Sequence, residues 1–206
     1  VDQEERTRMG KEPGDRINHY DFIGKDNEFL QLLDWPTTIP KVWGILGWHI
    51  QLYHTHMTYT PPAAPGSSLE KDGLGLGFHQ DSGRLNRDFE TTPRPRVSVK
   101  VAFFLTDTTE PGRGNFFVIP GSHLENDFPG ENRKAITDNA APVCVPPGTA
   151  VIFDRRLWHS ASANYWTTPR RVLFYGYSYR WLRPRDDMTI EHYLDQCDPS
   201  KSNSSG

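Results

Sequence analysis

The sequence predicts an all-β domain, a sandwich or squashed antiparallel barrel, and three observations carry that prediction. Seventeen Gly and seventeen Pro are scattered between short apolar runs, which is the punctuation of many brief strands. Aromatic residues make up 12 % of a chain that is only 35 % hydrophobic, which suits a β shell around a polar cavity better than a helical bundle. The strongest runs, residues 96–107 and 171–179, are rich in β-branched and aromatic side chains. Taken in order, residues 27–33 read as a short helix and residues 48–59 as a first long, alternating strand. Residues 61–71 form a Pro/Ala/Gly/Ser loop suited to a lid or entrance. Residues 73–78, with Gly73, Gly75 and Gly77, read as an extended, Gly-loosened strand whose backbone can pass close to something bulky. Residues 96–107 are the clearest strand, 124–137 a charged excursion, and 149–153 a short apolar strand. A turn holding Asn164, Thr167, Thr168 and Pro169 leads into the strand at 171–179. Residues 186–196 read as a closing helix capped by Asp186 or Asp187, and the Ser-rich tail 198–206 as disordered.

At 206 residues the whole chain, 1–206, is expected to be a single domain with room for a substantial core. A net charge of −3 with no basic tract gives no reason to expect nucleic acid as a partner. No apolar stretch reaches the length of a membrane span, and the acidic start Val1-Asp2-Gln3-Glu4-Glu5 is the opposite of a signal peptide. Cys144 and Cys197 are too few for a disulfide framework, so a reducing, cytoplasmic setting is expected. The chain opens on Val1 rather than Met, which suits a processed or trimmed form of a longer protein.

The chemistry is carried by His79-Gln80-Asp81, by His159 eighty residues later, and by Arg170 eleven residues further on. Residues i and i+2 of an extended chain face one side, so His79 and Asp81 can reach one ion. With His159 they make the ligand set of a 2-His-1-carboxylate facial triad, which binds Fe(II) and leaves positions open for a co-substrate and O₂. Arg170 adds a planar fork able to grip a carboxylate. His159 and Arg170 are expected on adjacent antiparallel strands, aimed into one mouth. Arg171 must then point to the other face.

Several strings resemble the phytanoyl-CoA dioxygenase family of Fe(II)/2-oxoglutarate-dependent oxygenases, which also contains ectoine hydroxylase. They are Phe78-His79-Gln80-Asp81, residues 97–107, residues 115–123 ending in Pro120-Gly121-Ser122-His123, and Trp158-His159 through Pro169-Arg170-Arg171. The resemblance runs from about Ile39 to Trp181. It implies a double-stranded β-helix (a cupin-like jelly roll) with a few flanking helices. It also implies His79, Asp81 and His159 on iron, Arg170 on the distal carboxylate of 2-oxoglutarate, and His54 and Thr58 near the co-substrate. His54 and Thr58 fall where ectoine hydroxylase carries a glutamine and an asparagine, and neither residue type matches. The implied reaction is hydroxylation of an unactivated C–H bond in a small-molecule metabolite, with release of succinate and CO₂. A carboxylate at Asp81 speaks against a halogenase, which has a small residue there.

Two departures stand out. Family members usually carry a helix and a strand ahead of the segment around residues 30–33, and only about thirty polar residues precede it here. Thr60 stands before Pro61-Pro62 where the phytanoyl-CoA enzyme has a lysine, which argues against an acyl-CoA substrate. Among other residues, His49, His54 and His56 lack a carboxylate at matching spacing and make a poorer metal site. His123 shapes a turn, and the Gly73-x-Gly75-x-Gly77 string lacks the helix and lysine of a phosphate loop. Lys100 can face a substrate anion or water; Arg84, Arg87, Lys100 and Trp166 are candidates to line the substrate pocket. Two other readings stay open on this scaffold: a binding protein without turnover, and a cupin-type metalloenzyme that does not use 2-oxoglutarate.

Overall fold

The computed structural model describes residues 2–196, so the tail expected to be disordered lies outside the described residues. The fold is mostly β. Elements run in the order α1 (Asp2–Met9), β1 (Ile17–Tyr20), α2 (Asn27–Leu30), α3 (Ile39–Leu46), β2 (Ile50–Thr60), α4 (Leu69–Asp72) and α5 (Gly83–Asp88). Strands β3 (Ser98–Phe104), β4 (Phe116–Val118), β5 (Ala141–Val143), β6 (Ala150–Asp154), β7 (His159–Ala161) and β8 (Arg170–Tyr179) follow. They form a five-stranded sheet, β1-β2-β8-β3-β6, and a three-stranded sheet, β5-β4-β7, with every pairing antiparallel. This is the squashed barrel of a double-stranded β-helix.

Strand alternation explains what covers each face. On the outer face of the large sheet, Val99, Val101, Phe103, Leu173, Tyr175 and Tyr177 pack against Val42 and Leu46 of α3 and against Phe22 and Ile23. Tyr175 and Tyr177 then donate their hydroxyls to the carbonyls of Phe29 and Leu33, tying residues 29–33 onto the sheet. On the inner face, Ala102, Phe104, Val172 and Phe174 meet Phe116 of the small sheet. Strands β3 and β8 are therefore buried on both faces. The outer face of the small sheet is sealed by Leu76 and Phe78 against Phe117, Ile119 and Trp158.

Four expectations need correction. Residues 73–78 form no strand; the Phe78 amide donates to the Arg133 carbonyl, and His79 pairs with His159 only through an isolated bridge. The polar N-terminal stretch supplies both α1 and β1, so the helix and strand that seemed missing are present. Their polarity hid them: β1 is an edge strand paired on one side only, and α1 turns Glu5 inward onto His19 at 3.1 Å. His159 and Arg170 stand on different sheets, because the connection from residue 162 to 169 crosses the barrel. The closing helix shrinks to a single 3-10 segment, Glu191–Gln196, because Asp186 serves another purpose, described below. Helix α3 comes in addition: Pro40 in its first turn and Gly47 at its C-cap mark its ends, and its apolar residues cover the large sheet.

Candidate metal and co-substrate site

Between the sheets lies a cavity of about 300 Å³, into which His79, Asp81, His159 and Arg170 all project. His79 and His159 are paired through their own backbones. Each amide donates to the other's carbonyl, at 2.9 and 3.0 Å, and the two rings stand 4.4 Å apart. Asp81 is held by its amide bond to the Arg155 carbonyl. The Asn86 side chain donates to the Asp81 carbonyl at 2.9 Å and receives the Arg155 guanidinium. Gln80, between the two, points away and donates to the carbonyls of Glu125 and Arg156. The i, i+2 geometry thus survives on irregular backbone.

The donor set fits a divalent metal. One ligand atom from each of His79, Asp81 and His159 lies within 4.8 Å of the others. His79 Nδ1 faces the Gly77 carbonyl at 3.1 Å and His159 Nδ1 faces the Leu157 carbonyl at 2.7 Å. A carbonyl can only accept, so each Nδ1 carries the proton and each Nε2 presents a lone pair, the arrangement that second-shell bonds impose on ligating imidazoles. Burial pushes the His159 imidazole down to about 4, which keeps it neutral at pH 7. Burial also raises the Asp81 carboxyl, but the Lys100 ammonium and the two imidazoles outweigh that and hold it below the usual carboxylate range. Asp81 Oδ2 is buried and paired with Lys100 Nζ at 2.9 Å.

Arg170 is the second fixture. It is 2 % exposed, its guanidinium lies 5.6 Å from the Phe104 ring centroid, and its Nε and Nη2 have no hydrogen-bond partner. Burial, with Arg16 nearby, pushes it down to about 9, so it is still charged at pH 7. A buried guanidinium with open donors is costly unless an anion completes it. Arg171 lies over Tyr59 at 5.1 Å on the opposite face of the strand, as alternation requires.

Of the other residues singled out above, His54, Thr58 and Lys100 line the cavity. Lys100 faces inward. Arg84 does not line it; it lies exposed on α5 beside a separate depression with Tyr53 and Leu182, and Arg87 is exposed on the same short helix. Trp166 does not line it either, because the 164–169 turn folds outward and stacks the indole under Arg113 at 4.3 Å. His56, weighed above as a poorer metal ligand, also lines the cavity, and several lining residues escaped the reading of the sequence: Arg16, Asn18 and Tyr20 on or beside β1, and Arg185. Residues 54, 56 and 58 alternate onto one face, which is the signal that brings His56 there beside His54 and Thr58.

The missed Asp186 organises that face. Its carboxylate accepts from His54 Nδ1 at 2.8 Å and from the Thr55 amide at 2.6 Å. His54 Nε2 is then an acceptor and receives His56 Nδ1 at 3.1 Å. His56 stacks flat on Phe174 at 4.3 Å with its Nε2 left as an acceptor. Thr58 donates to Asn18 at 3.2 Å.

A protein of Mycobacterium tuberculosis, described as uncharacterised, is 28 % identical over 139 residues, covering 68 % of this chain and 47 % of that protein. The chain thus spans about half the length of the curated relatives it matches. HygX from Streptomyces hygroscopicus, solved with nickel and 2-oxoglutarate bound, shares the fold at a TM-score of 0.65 and 18 % identity, over 92 % of this chain and 79 % of HygX. EctD from S. alaskensis, solved with 2-oxoglutarate and 5-hydroxyectoine, gives 0.59 and 18 % over 84 % of this chain and 60 % of EctD. The sequence model of the phytanoyl-CoA dioxygenase (PhyH) family matches residues 11–172, well over half of the sequence and every ligand-type residue above. The chain belongs to the phytanoyl-CoA dioxygenase family.

Proposed function

We propose that this chain is an Fe(II)- and 2-oxoglutarate-dependent dioxygenase that hydroxylates an unactivated C–H bond of a small molecule, releasing succinate and CO₂. The observation that carries the reading is Arg170, a buried guanidinium with open donors in the same cavity as two imidazoles and a carboxylate. His79, Asp81 and His159 would hold the iron. When bound, iron with 2-oxoglutarate and O₂ supplies the oxidising power that no side chain has.

The chain's own residues bind, orient and exclude water. Arg170 takes the 5-carboxylate of 2-oxoglutarate in a two-pronged grip, with Phe104 beneath it. Thr58 and Asn18 lie at the same end of the cavity and supply hydroxyl and amide groups to it. The neutral tautomers of His79 and His159 keep both lone pairs ready, so metal uptake at pH 7 releases no proton from His159. Phe116, Phe153 and Phe174 form the dry side of the cavity.

Arg170 favours this reading over a cupin-type enzyme without 2-oxoglutarate, which needs no buried cation there; turnover is what distinguishes it from a binding protein. The test is succinate formation from 2-oxoglutarate with Fe(II), ascorbate and candidate small molecules, with products weighed for one added oxygen. Wild-type protein that binds Fe(II) but never consumes 2-oxoglutarate would move the cupin reading ahead.

A further inference from the structure

The cavity carries more positive charge than the proposed function uses. Its lining includes four cations, Arg16, Lys100, Arg170 and Arg185, and one carboxylate, Asp81. A divalent ion and the dianion 2-oxoglutarate cancel one another, so the excess persists with both bound.

The cations come in two pairs, and strand register sets them apart. Arg170 is opposite Thr60 on β2, and Arg16 precedes Ile17, which is opposite Tyr59. That pair holds one end. Lys100 is opposite Gly176 on β8, and Gly176 is opposite His54. Arg185 bonds through its amide to the Tyr53 carbonyl and lies over Tyr20 at 5.5 Å, so it stands at the Lys100 end. Gly176 and Arg170 are six positions apart on β8, about 20 Å along the strand. Each pair has one buried member, Lys100 or Arg170, and one exposed member at the mouth, Arg185 or Arg16.

Lys100 is the residue that needs a ligand. Without metal, Lys100 Nζ and Asp81 Oδ2 at 2.9 Å satisfy each other. A divalent ion on Asp81 takes over that carboxylate, and Lys100, only 3 % exposed, becomes a buried ammonium beside a dication. Such a group requires an anion of its own. A carboxylate at Nζ can come from the metal-binding end of 2-oxoglutarate or from the substrate. The second pair favours the substrate: 2-oxoglutarate already has Arg170 at one end and the metal at the other, which leaves Arg185 without a purpose. The cavity is also small, about 300 Å³, at the foot of the range of roughly 300–1,000 Å³ for small-molecule sites.

We propose that Lys100, with Arg185 at the mouth, is a second carboxylate site, and that the substrate is a compact carboxylic acid oxidised close to its acid group. This rests on the proposed function, because it requires a metal on Asp81. Here Lys100 touches substrate; Arg185 steers and covers it.

The test uses the full chain loaded with Ni(II) and 2-oxoglutarate and titrated by calorimetry. The probes are short aliphatic, α-amino and α-hydroxy carboxylic acids, each paired with its primary amide. At least one acid is expected to bind roughly tenfold or more tightly than its amide. Lys100→Met should erase that preference, Lys100→Arg should restore part of it, and affinity for 2-oxoglutarate should change less than about threefold in both. Arg185→Ala, at an exposed position that cannot unfold the core, should weaken acid binding severalfold in a salt-dependent way. Amides binding as well as acids, or no acid binding at all, would overturn the proposal. So would a loss of 2-oxoglutarate affinity in Lys100→Met as large as in Arg170→Ala, which would give Lys100 to the co-substrate. Failure of the proposed function looks different: wild-type protein would take up neither Ni(II) nor 2-oxoglutarate before any acid is added.

Discussion

The five-stranded sheet meets the cavity with long strands sealed on both faces, whereas the three-stranded sheet meets it with three-residue strands and an isolated bridge at His79. The large sheet carries the cations proposed to grip carboxylates, Arg170 and Lys100, on a ladder whose register holds from Thr60 opposite Arg170 to His54 opposite Gly176 and shifts beyond it, between Leu52 and His54. The small sheet and its flanking loop carry the groups that can hold a metal, and these brace each other. His79 and His159 share two backbone bonds, and Asp81 hangs from Arg155. Charge recognition over a distance needs a rigid ruler, while a ligand cluster needs only mutual ties among neighbours. The two regions should therefore fail in different ways.

The largest failure should come from Asp81→Ala. It removes the single carboxylate of the proposed ligand set, so the proposed hydroxylation should vanish and Fe(II) affinity fall by more than the roughly 10–100-fold typical of losing a group that only orients a ligand. Metal analysis and turnover, both unchanged, would end the ligand assignment. Arg170→Ala tests the large sheet. Losing one member of a desolvated charge pair costs on the order of 2–5 kcal/mol, so affinity for 2-oxoglutarate should drop by roughly 30-fold or more. Iron binding should survive, because Arg170 touches no ligand residue. If iron is lost as well, the two regions are not independent.

Gly114 connects them. Its φ is +70°, and an added Cβ would lie 3.0 Å from Arg170 Cδ and 3.4 Å from Asn164 Cβ. Gly114→Ala should cost about 1–2 kcal/mol of stability from the left-handed backbone alone. It should also weaken 2-oxoglutarate severalfold by pushing Arg170 off its seat, which thermal melts and co-substrate titration would separate. A pH series probes burial itself. Burial lowers the imidazoles of His54, His56 and His159, the last to about 4, while unfolded imidazoles titrate near 6.5. Below that pH the unfolded chain binds more protons, so stability falls with acid, by about 1.4 kcal/mol per pH unit for each such group in its window. Metal-free protein should melt progressively lower from pH 7 to 5; a flat profile would contradict the burial. The smallest effect should be Arg171→Ala, which removes only a contact with Tyr59 on the outer face and should leave iron and 2-oxoglutarate affinity within about twofold.

The same contrast explains what could be read from sequence. The ligand cluster was legible because its chemistry is local: a two-residue spacing puts His79 and Asp81 on one side whether or not a strand forms. The long strands were legible from alternation, which puts Arg170 and Arg171 on opposite faces; the eleven-residue interval after His159 picked out Arg170. What alternation does not show is which distant segment folds over a strand. Asp186 looked like a helix cap and instead orients His54 from 132 residues away, and Arg185 arrives with it. Strand β1 escaped because an edge strand needs little hydrophobicity, and with it went Arg16, Asn18 and Tyr20. Arg84 and Trp166 were expected at the cavity on chemical suitability alone, and the short helix and the outward turn that carry them put them elsewhere.

The pairing of β2 with β8, which sets Thr60 opposite Arg170 and Ile50 opposite Tyr179, also has a kinetic consequence. The central ladder of the large sheet joins segments far apart in the chain, so its closure entropy must be met before the ladder can repay it, and such topologies fold slowly. During synthesis β2 waits, paired at most with β1, until β8 has been made. Strand β8, the last among the described residues, brings both the missing ladder and Arg170, the arginine proposed for the co-substrate. A nascent chain that stalls before residue 170 therefore exposes unpaired strand edges and is a target for chaperones or aggregation.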